Sequence, residues 1–245
     1  MAGTGSIRPR LQVLGDFQAC CGGEPLHVPH AGQRVLACLA VLHRHRPARR
    51  TSVAERLWPD APPGRSTSTL RSVLWRLPRP RGRTLVRGNA TTIELHEDVE
   101  VDLWESERVA AGVCGDGRPA GAVPDLLTLE DDLLPDWDEE WLVMERESFR
   151  QLRLHALERV AAESCDRGRF TDALSAGLCA VRSEPLRESA HRTVIAVHLA
   201  EGNFAEALRQ YDGYRRLLAD ELGLPPSPAI DRMVGPLLDR PADVR

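Results

Sequence analysis

Arginine is the residue whose number and spacing carry the first chemical information. All 32 basic residues of this 245-residue chain are Arg, and none is Lys. Between residues 30 and 87, thirteen Arg stand against only Glu55 and Asp60, a local charge of +11. Residues 1–100 hold fifteen Arg and eight acids, whereas residues 101–245 hold seventeen Arg and twenty-eight acids, for an overall −4. A guanidinium is permanently charged and offers five donors in a fixed fork. A dense block of them suits the oxygens of a polyanion, while a solvated surface charge is the plainer account of any single one. The lack of Lys excludes a Walker A phosphate loop, a protein kinase and a pyridoxal Schiff base, each of which requires that amine.

The elements that must position these arginines can be read from periodicity. Leu11 to Phe17 and Gln18 to Cys21 are strand-like, Gly22-Gly23 is a turn signal, and Leu26 to Val28 forms a returning strand. Val35, Leu36, Leu39, Ala40 and Leu42 recur at helical spacing, and Pro47 ends that helix. Thr51 or Ser52 caps a second helix that Pro59 closes. Pro62-Pro63-Gly64 is a turn, and Ser66 to Leu77 is a third helix with Leu70, Val73, Leu74 and Leu77 inward. Leu85 to Arg87 and Thr92 to Leu95 flank the tight-turn dipeptide Gly88-Asn89. Three helices followed by a hairpin are the layout of a winged helix.

The second half is helical. Asp102 to Ala111 is a short helix, residues 113–136 a long Gly-, Pro- and acid-rich loop, and Asp138 opens a long helix. Gly168 to Leu174 matches Gly202 to Leu208 at an offset of 34 residues, the tetratricopeptide period. Pro185 and Pro225 sit near the turns between repeats, 40 residues apart. The expected fold is therefore an α+β winged helix over residues 10–97, then an all-α tetratricopeptide-like domain over 98–240. Short tails, 1–9 and 241–245, flank them.

In a helix-turn-helix arrangement one helix enters the major groove of double-stranded DNA. Here that is the third helix, whose outward residues are Ser68, Thr69, Arg71, Ser72, Trp75 and Arg76. Arg reads guanine bidentately, and hydroxyls meet phosphates or bases. Arg65 and Ser66 at the helix start suit a phosphate oxygen. Arg79, Arg81 and Arg83 lie in the connector to the wing, where backbone contacts are expected, and Arg87 beside the wing turn is within reach of a minor groove. Arg49, Arg50 and Thr51 precede the second helix, another usual place for phosphate contacts. Trp75 is ambiguous between DNA, the core and the other domain.

At this point the residues resemble a family. Leu11-Gln12-Val13-Leu14-Gly15, Ala54-Glu55-Arg56-Leu57-Trp58-Pro59 and Leu70-Arg71-Ser72-Val73-Leu74-Trp75-Arg76-Leu77 look like the Streptomyces antibiotic regulatory protein family. So do Val101-Asp102-Leu103-Trp104, Leu134-Pro135-Asp136-Trp137 through Trp141, Glu184 to Glu188 and Leu217 to Pro228, the last being the most specific. The resemblance covers about residues 10–240 and implies an OmpR-type winged helix followed by a bacterial transcriptional activator domain. It implies a transcription activator for a secondary-metabolite, antibiotic biosynthetic cluster. Such an activator binds direct repeats near the −35 element as side-by-side protomers, and recruits RNA polymerase with its principal sigma factor. The chain looks like the small form, without the ATPase module of larger relatives. The Pro-rich connector from Pro78 to Arg83 and the bulky Trp75 depart from the family pattern.

Other chemistries are less supported. His43 and His45, two apart, point to different helix faces and suit one metal ion poorly. His191 and His198 share a helix face and read as packed side chains. The acidic stretch from Glu130 to Glu140 lacks EF-hand spacing. Its Leu133, Leu134, Trp137 and Trp141 make it a docked surface segment. Gly112 to Gly117 is no dinucleotide fingerprint, since no strand leads into it. The six cysteines have no C-x-x-C spacing and read as small buried hydrophobes. The chain reads as no enzyme, with no cofactor and no metal. No apolar run approaches the roughly 18–20 residues of a membrane span, and Met1 to Arg10 has no apolar stretch, so a cytoplasmic, nucleoid-associated protein is expected. The rival reading is a protein-interaction scaffold without specific DNA binding, which gives no reason for Arg to concentrate around the third helix and wing.

Overall fold

The computed structural model describes residues 8–115, 129 and 131–238. Most of the 113–136 loop, residues 1–7 and the tail 241–245 lie outside them, whereas Arg8 and Pro9 of the expected tail 1–9 are described and Pro9 opens a strand. The chain divides into two compact units, residues 1–108 with 131–150 and residues 109–130 with 151–245. The division falls inside two helices, so it differs from a boundary at residue 98.

In chain order the first unit runs β1 (Pro9–Gln12), β2 (Gln18–Cys21), β3 (Glu24–Pro25), α1 (His30–Leu42), β4 (Ala48–Arg49), α2 (Arg50–Leu57), α3 (Pro63–Arg76), β5 (Val86–Gly88), β6 (Thr92–Leu95) and β7 (Glu100–Val101). It continues into α4 (Asp102–Cys114). One sheet has the order β3-β2-β1-β7 and the other β4-β6-β5. β1 pairs antiparallel with β2 and parallel with β7, where Leu11 meets Val101. The returning strand is Glu24–Pro25, not Leu26–Val28, although the Leu26 amide still donates to Ala19 O at 2.7 Å. The buried stripe of α1 includes Val35, Leu36, Leu39 and Ala40, which pack with Val53, Leu57, Leu70, Val73, Leu85 and Ile93 in one core. This is a winged helix.

Two local expectations are corrected. The third helix starts at Pro63, three residues before Ser66. Proline is well tolerated at a first helical position, where its missing N–H has no partner in any case, so Pro62-Pro63-Gly64 opens the helix rather than standing outside it. The wing turn is Asn89-Ala90-Thr91, not Gly88-Asn89. Gly88 is a strand residue opposite Ile93, and a Cβ on it would stand 2.9 Å from Ile93 Cα. Asn89 Oδ1 accepts from the Thr91 and Thr92 amides, both at 2.9 Å, a side-chain-closed turn.

The motif Val101-Asp102-Leu103-Trp104 closes this unit. Asp102 Oδ1 accepts from the Val13 and Leu103 amides at 2.9 and 2.7 Å, and its Oδ2 from the Leu14 amide at 3.1 Å. Burial pushes its carboxyl up from the ordinary aspartate range, against the pull of those three donors. Trp104 Nε1 donates to Ala40 O at 2.8 Å. The acidic segment also belongs here. Leu133, Leu134, Trp141 and Leu142 are buried in the same core, and the Leu134 amide donates to Val13 O at 3.0 Å. Arg146 donates to the carbonyls of Leu133, Leu134 and Trp137. Glu139 takes both an ion pair from Arg34 and a 2.7 Å hydrogen bond from Trp141 Nε1.

The second unit contains parts of α4 and α5 (Val143–Asp166), then α6 (Phe170–Ser183), α7 (Glu188–Glu201), α8 (Phe204–Leu222) and α9 (Pro228–Leu238). Gly168 and Gly202 take the same left-handed conformation, φ 71° and 82°, just before α6 and α8. The 34-residue offset is thus a repeated helical hairpin. α8 has 19 residues against 14 in α6, which carries Pro225 beyond the 34-residue register. His191 is buried between helices. Its Nε2 lies 2.8 Å from Pro185 O, its Nδ1 2.9 Å from Gln210 Nε2, and its ring stacks on Tyr214 at 4.2 Å. Burial lowers its pKa from the ordinary 6.5.

Candidate nucleic-acid interface

The helix-turn-helix side of the first unit brings three elements to one groove. A depression of about 880 Å3 is lined by Arg49, Arg50 and Thr51 at the start of α2, and by Thr67, Leu70 and Arg71 on α3. The wing turn, Asn89 to Thr92, completes it. The Arg50 amide donates to Thr91 O at 2.9 Å, and its Nε donates to Asn89 O at 2.8 Å. These bonds tie the second helix to the wing, and leave Arg50 half-buried with part of its donor set spent. Asn89, Thr67, Thr91 and Thr92 were not singled out from the sequence. The signal for them was the Asn that closes its own turn.

The remaining candidates divide by burial. Ser68, Arg71, Ser72, Trp75 and Arg76 are exposed on α3, and Thr69 is half-buried. Ser66 is 0% exposed and cannot meet a phosphate. Ser66 stands one turn before the buried Leu70 and so shares its inward face, and with the helix starting at Pro63 it lies inside the helix and not at its end, which corrects its place among the contact residues. The hydroxyls of Ser68, Thr69 and Ser72 donate to the carbonyls of Gly64, Arg65 and Ser68 at 2.9, 2.9 and 3.1 Å. In that arrangement their free lone pairs face outward as acceptors.

The arginines divide by charge compensation. Arg49, Arg65, Arg71, Arg76, Arg79 and Arg81 are exposed and have no ion pair among the described residues. Arg83 pairs with Asp98 at 3.2 Å, and Arg87 with Glu94 at 3.0 Å and Glu97 at 3.3 Å. The Glu94 pair follows from strand register, since Arg87 and Glu94 stand opposite each other in β5 and β6. Arg50, Arg79 and Arg87 also border a smaller cavity of about 180 Å3 beneath the wing. Arg81 and Arg83 lie in the connector, and neither groove takes them in. A larger groove of about 1250 Å3 is lined by Arg34, Arg56 and Arg65 but also by the more numerous acids Glu55, Asp60, Asp138, Glu139, Glu140 and Glu145. Its carboxylates repel phosphate. Among the described residues no group of three His, Cys, Asp or Glu could hold a metal ion, and no helix is long and apolar enough to cross a membrane.

Residues 115–238 match the family described as bacterial transcriptional activator domain. The chain belongs to that family. Its resemblance to the Streptomyces antibiotic regulatory proteins extends over most of its length. It is 29% identical over 249 residues to Regulatory protein AfsR of Streptomyces griseus, covering 96% of this chain and 26% of that protein. It is 27% identical over 234 residues to Regulatory protein AfsR of Streptomyces coelicolor, covering 91% of this chain and 24% of that protein. The chain thus spans about a quarter of the length of these curated relatives. A solved structure of Mycobacterium tuberculosis EmbR in complex with a low affinity phosphopeptide is similar with TM-score 0.71 and 21% identity, over 96% of this chain and 66% of that one. That likeness shows the fold. The activator-domain match and the winged helix identify a member of a transcriptional activator family.

Proposed function

We propose that this bacterial transcriptional activator domain protein binds promoter DNA sequence-specifically and activates transcription. The observation that carries the reading is the groove where the start of α2, the outer face of α3 and the wing turn converge, beside exposed arginines without a counter-charge. Arg71, and Arg76 one turn after Ser72, read guanine edges in the major groove. Arg49, Arg50 and Thr51, and the connector arginines Arg79 and Arg81, hold phosphates. Arg65 at the α3 start does the same. Arg83 and Arg87 do so more weakly, because carboxylates already share their charge. Trp75 lies on the base-reading face.

The finer assignment rests on the family resemblance. Two protomers bind side by side on direct repeats near a −35 element and recruit RNA polymerase with its principal sigma factor, and the target is an antibiotic biosynthetic cluster. The protein acts in the cytoplasm at the nucleoid and catalyses no reaction. The test is selection of bound fragments from a random duplex library at about 150 mM salt, where non-specific binding is weak. Enrichment of a motif repeated at roughly 10–11 bp spacing is expected. No enrichment would move the protein-interaction scaffold ahead.

A further inference from the structure

Ser68, Arg71, Ser72 and Trp75 are spaced i, i+3, i+4 and i+7 along α3, so they form one stripe, and all four are exposed. Trp75 is 78% exposed. Its indole N–H has no hydrogen-bond partner among the described residues. Among the described residues the other exposed large hydrophobic side chains all lie at or beyond residue 143. Trp75 is therefore a lone aromatic in a polar, cationic stripe. A protein-docking face would offer a contiguous apolar patch instead.

We propose that Trp75 is a specificity-determining residue that selects thymine in the major groove, an inference that rests on the DNA-binding reading above. The thymine edge presents the O4 acceptor beside the C5 methyl group, whereas cytosine presents an amino donor and no methyl. An indole is the complement of the first and not of the second. Its ring offers apolar contact to the methyl, and its single N–H is a donor with no acceptor lone pair. Cytosine would set donor against donor and leave the ring against a bare edge.

The rest of the stripe agrees in polarity. Ser72 and Ser68 direct their hydroxyl protons into the helix and so face outward as acceptors, suited to exocyclic amino groups. Arg71 has no ion pair among the described residues and stands one helical turn, roughly 6 Å, before Trp75. At a base rise of about 3.4 Å, the guanine read by Arg71 and the thymine read by Trp75 are separated by roughly two steps.

The test uses the full chain and the duplex enriched from the random library. Each thymine is replaced singly by deoxyuridine, which removes the methyl group and keeps O4. The wild-type protein should lose about fourfold in affinity at one position, the worth of one buried methyl. Trp75→Ala should bind the thymine and deoxyuridine duplexes within twofold of each other, and Trp75→Leu should retain the penalty. An unchanged thermal midpoint in both variants excludes a folding effect. Wild-type affinity indifferent to deoxyuridine at every position, or an equal penalty in Trp75→Ala, overturns the inference while leaving specific DNA binding intact. Failure to enrich any duplex overturns the DNA-binding reading itself.

Discussion

Two sets of arginines, one in each unit, are used in opposite ways. In the repeat unit one set faces carboxylates, as in Arg159–Glu163, Arg167–Glu163, Arg209–Glu206, Arg215–Asp212 and Arg187–Glu158, while Arg182, Arg192 and Arg216 are exposed with no ion pair among the described residues. In the winged-helix unit Arg49, Arg65, Arg71, Arg76, Arg79 and Arg81 stand without one. The residue type is the same and the chemistry differs. A paired arginine has its charge locally offset by a carboxylate, and of those pairs only the partly buried Arg187–Glu158 acts as a structural cross-link. An unpaired row of them builds a positive potential that only an external polyanion can neutralise. Net charge alone conceals this, since the whole chain carries only −4.

The largest effects that would break the comparison are at the bases. Arg71→Ala and Arg76→Ala should each weaken binding to the selected duplex by roughly 1–3 kcal/mol, while binding to a scrambled duplex changes far less. Titration by fluorescence anisotropy reads both numbers, and equal losses on the two duplexes would move these residues to phosphates.

Arg187→Ala should do the reverse. Its guanidinium is half-buried against Glu158 at 2.7 Å, with Ser189 on the same carboxylate and Gln151 on the guanidinium. Removing it should cost about 2 kcal/mol in urea unfolding, because a partly buried carboxylate loses its cation. Specific DNA affinity should stay within twofold, and a tenfold loss would contradict the division of roles.

Charge compensation within one unit gives a finer test. Arg81→Ala should flatten the plot of log affinity against log salt by about one unit. Arg83→Ala should flatten it less, because Asp98 already shares that charge. Identical slopes for the two variants would make the ion pair irrelevant.

The smallest effect is one of pH. Burial lowers the His191 pKa below its ordinary 6.5, so the folded state binds fewer protons than the unfolded one in that region. This contribution is full above about pH 6.5 and is lost progressively as pH falls below that value towards the lowered folded-state pKa. In His191→Gln this part of the pH dependence should disappear from thermal midpoints measured between pH 7.5 and 5.5. A curve unchanged by the substitution would assign the dependence elsewhere.

Much of this was legible in the sequence because it rests on local signals. The apolar spacing of α1, α2 and α3 and the paired Gly168 and Gly202 turns each declare themselves within a dozen residues. The errors came where local and tertiary signals conflict. Pro63 reads as a breaker yet opens α3, so Ser66 lies inside the helix on the face of Leu70 and is buried. Gly88 reads as half of a tight turn, yet it is a strand glycine required by the close approach of the Thr92 carbonyl and Ile93. Leu133, Leu134, Trp137 and Trp141 announced a docked segment, but no local pattern told that it packs in the core of the winged-helix unit. The pairing of Arg87 with Glu94 needed the hairpin register, which a one-residue uncertainty in the turn destroys.

The central claim is that the uncompensated arginines of the first unit bind the DNA backbone. The most direct measurement is the salt dependence of wild-type affinity for the selected duplex, from about 50 to 300 mM. With several phosphates neutralised, log affinity should fall against log salt with a slope steeper than about −3, and Arg187→Ala should reproduce that slope. A slope shallower than about −1 would contradict the claim, because those guanidiniums would then release almost no counterions.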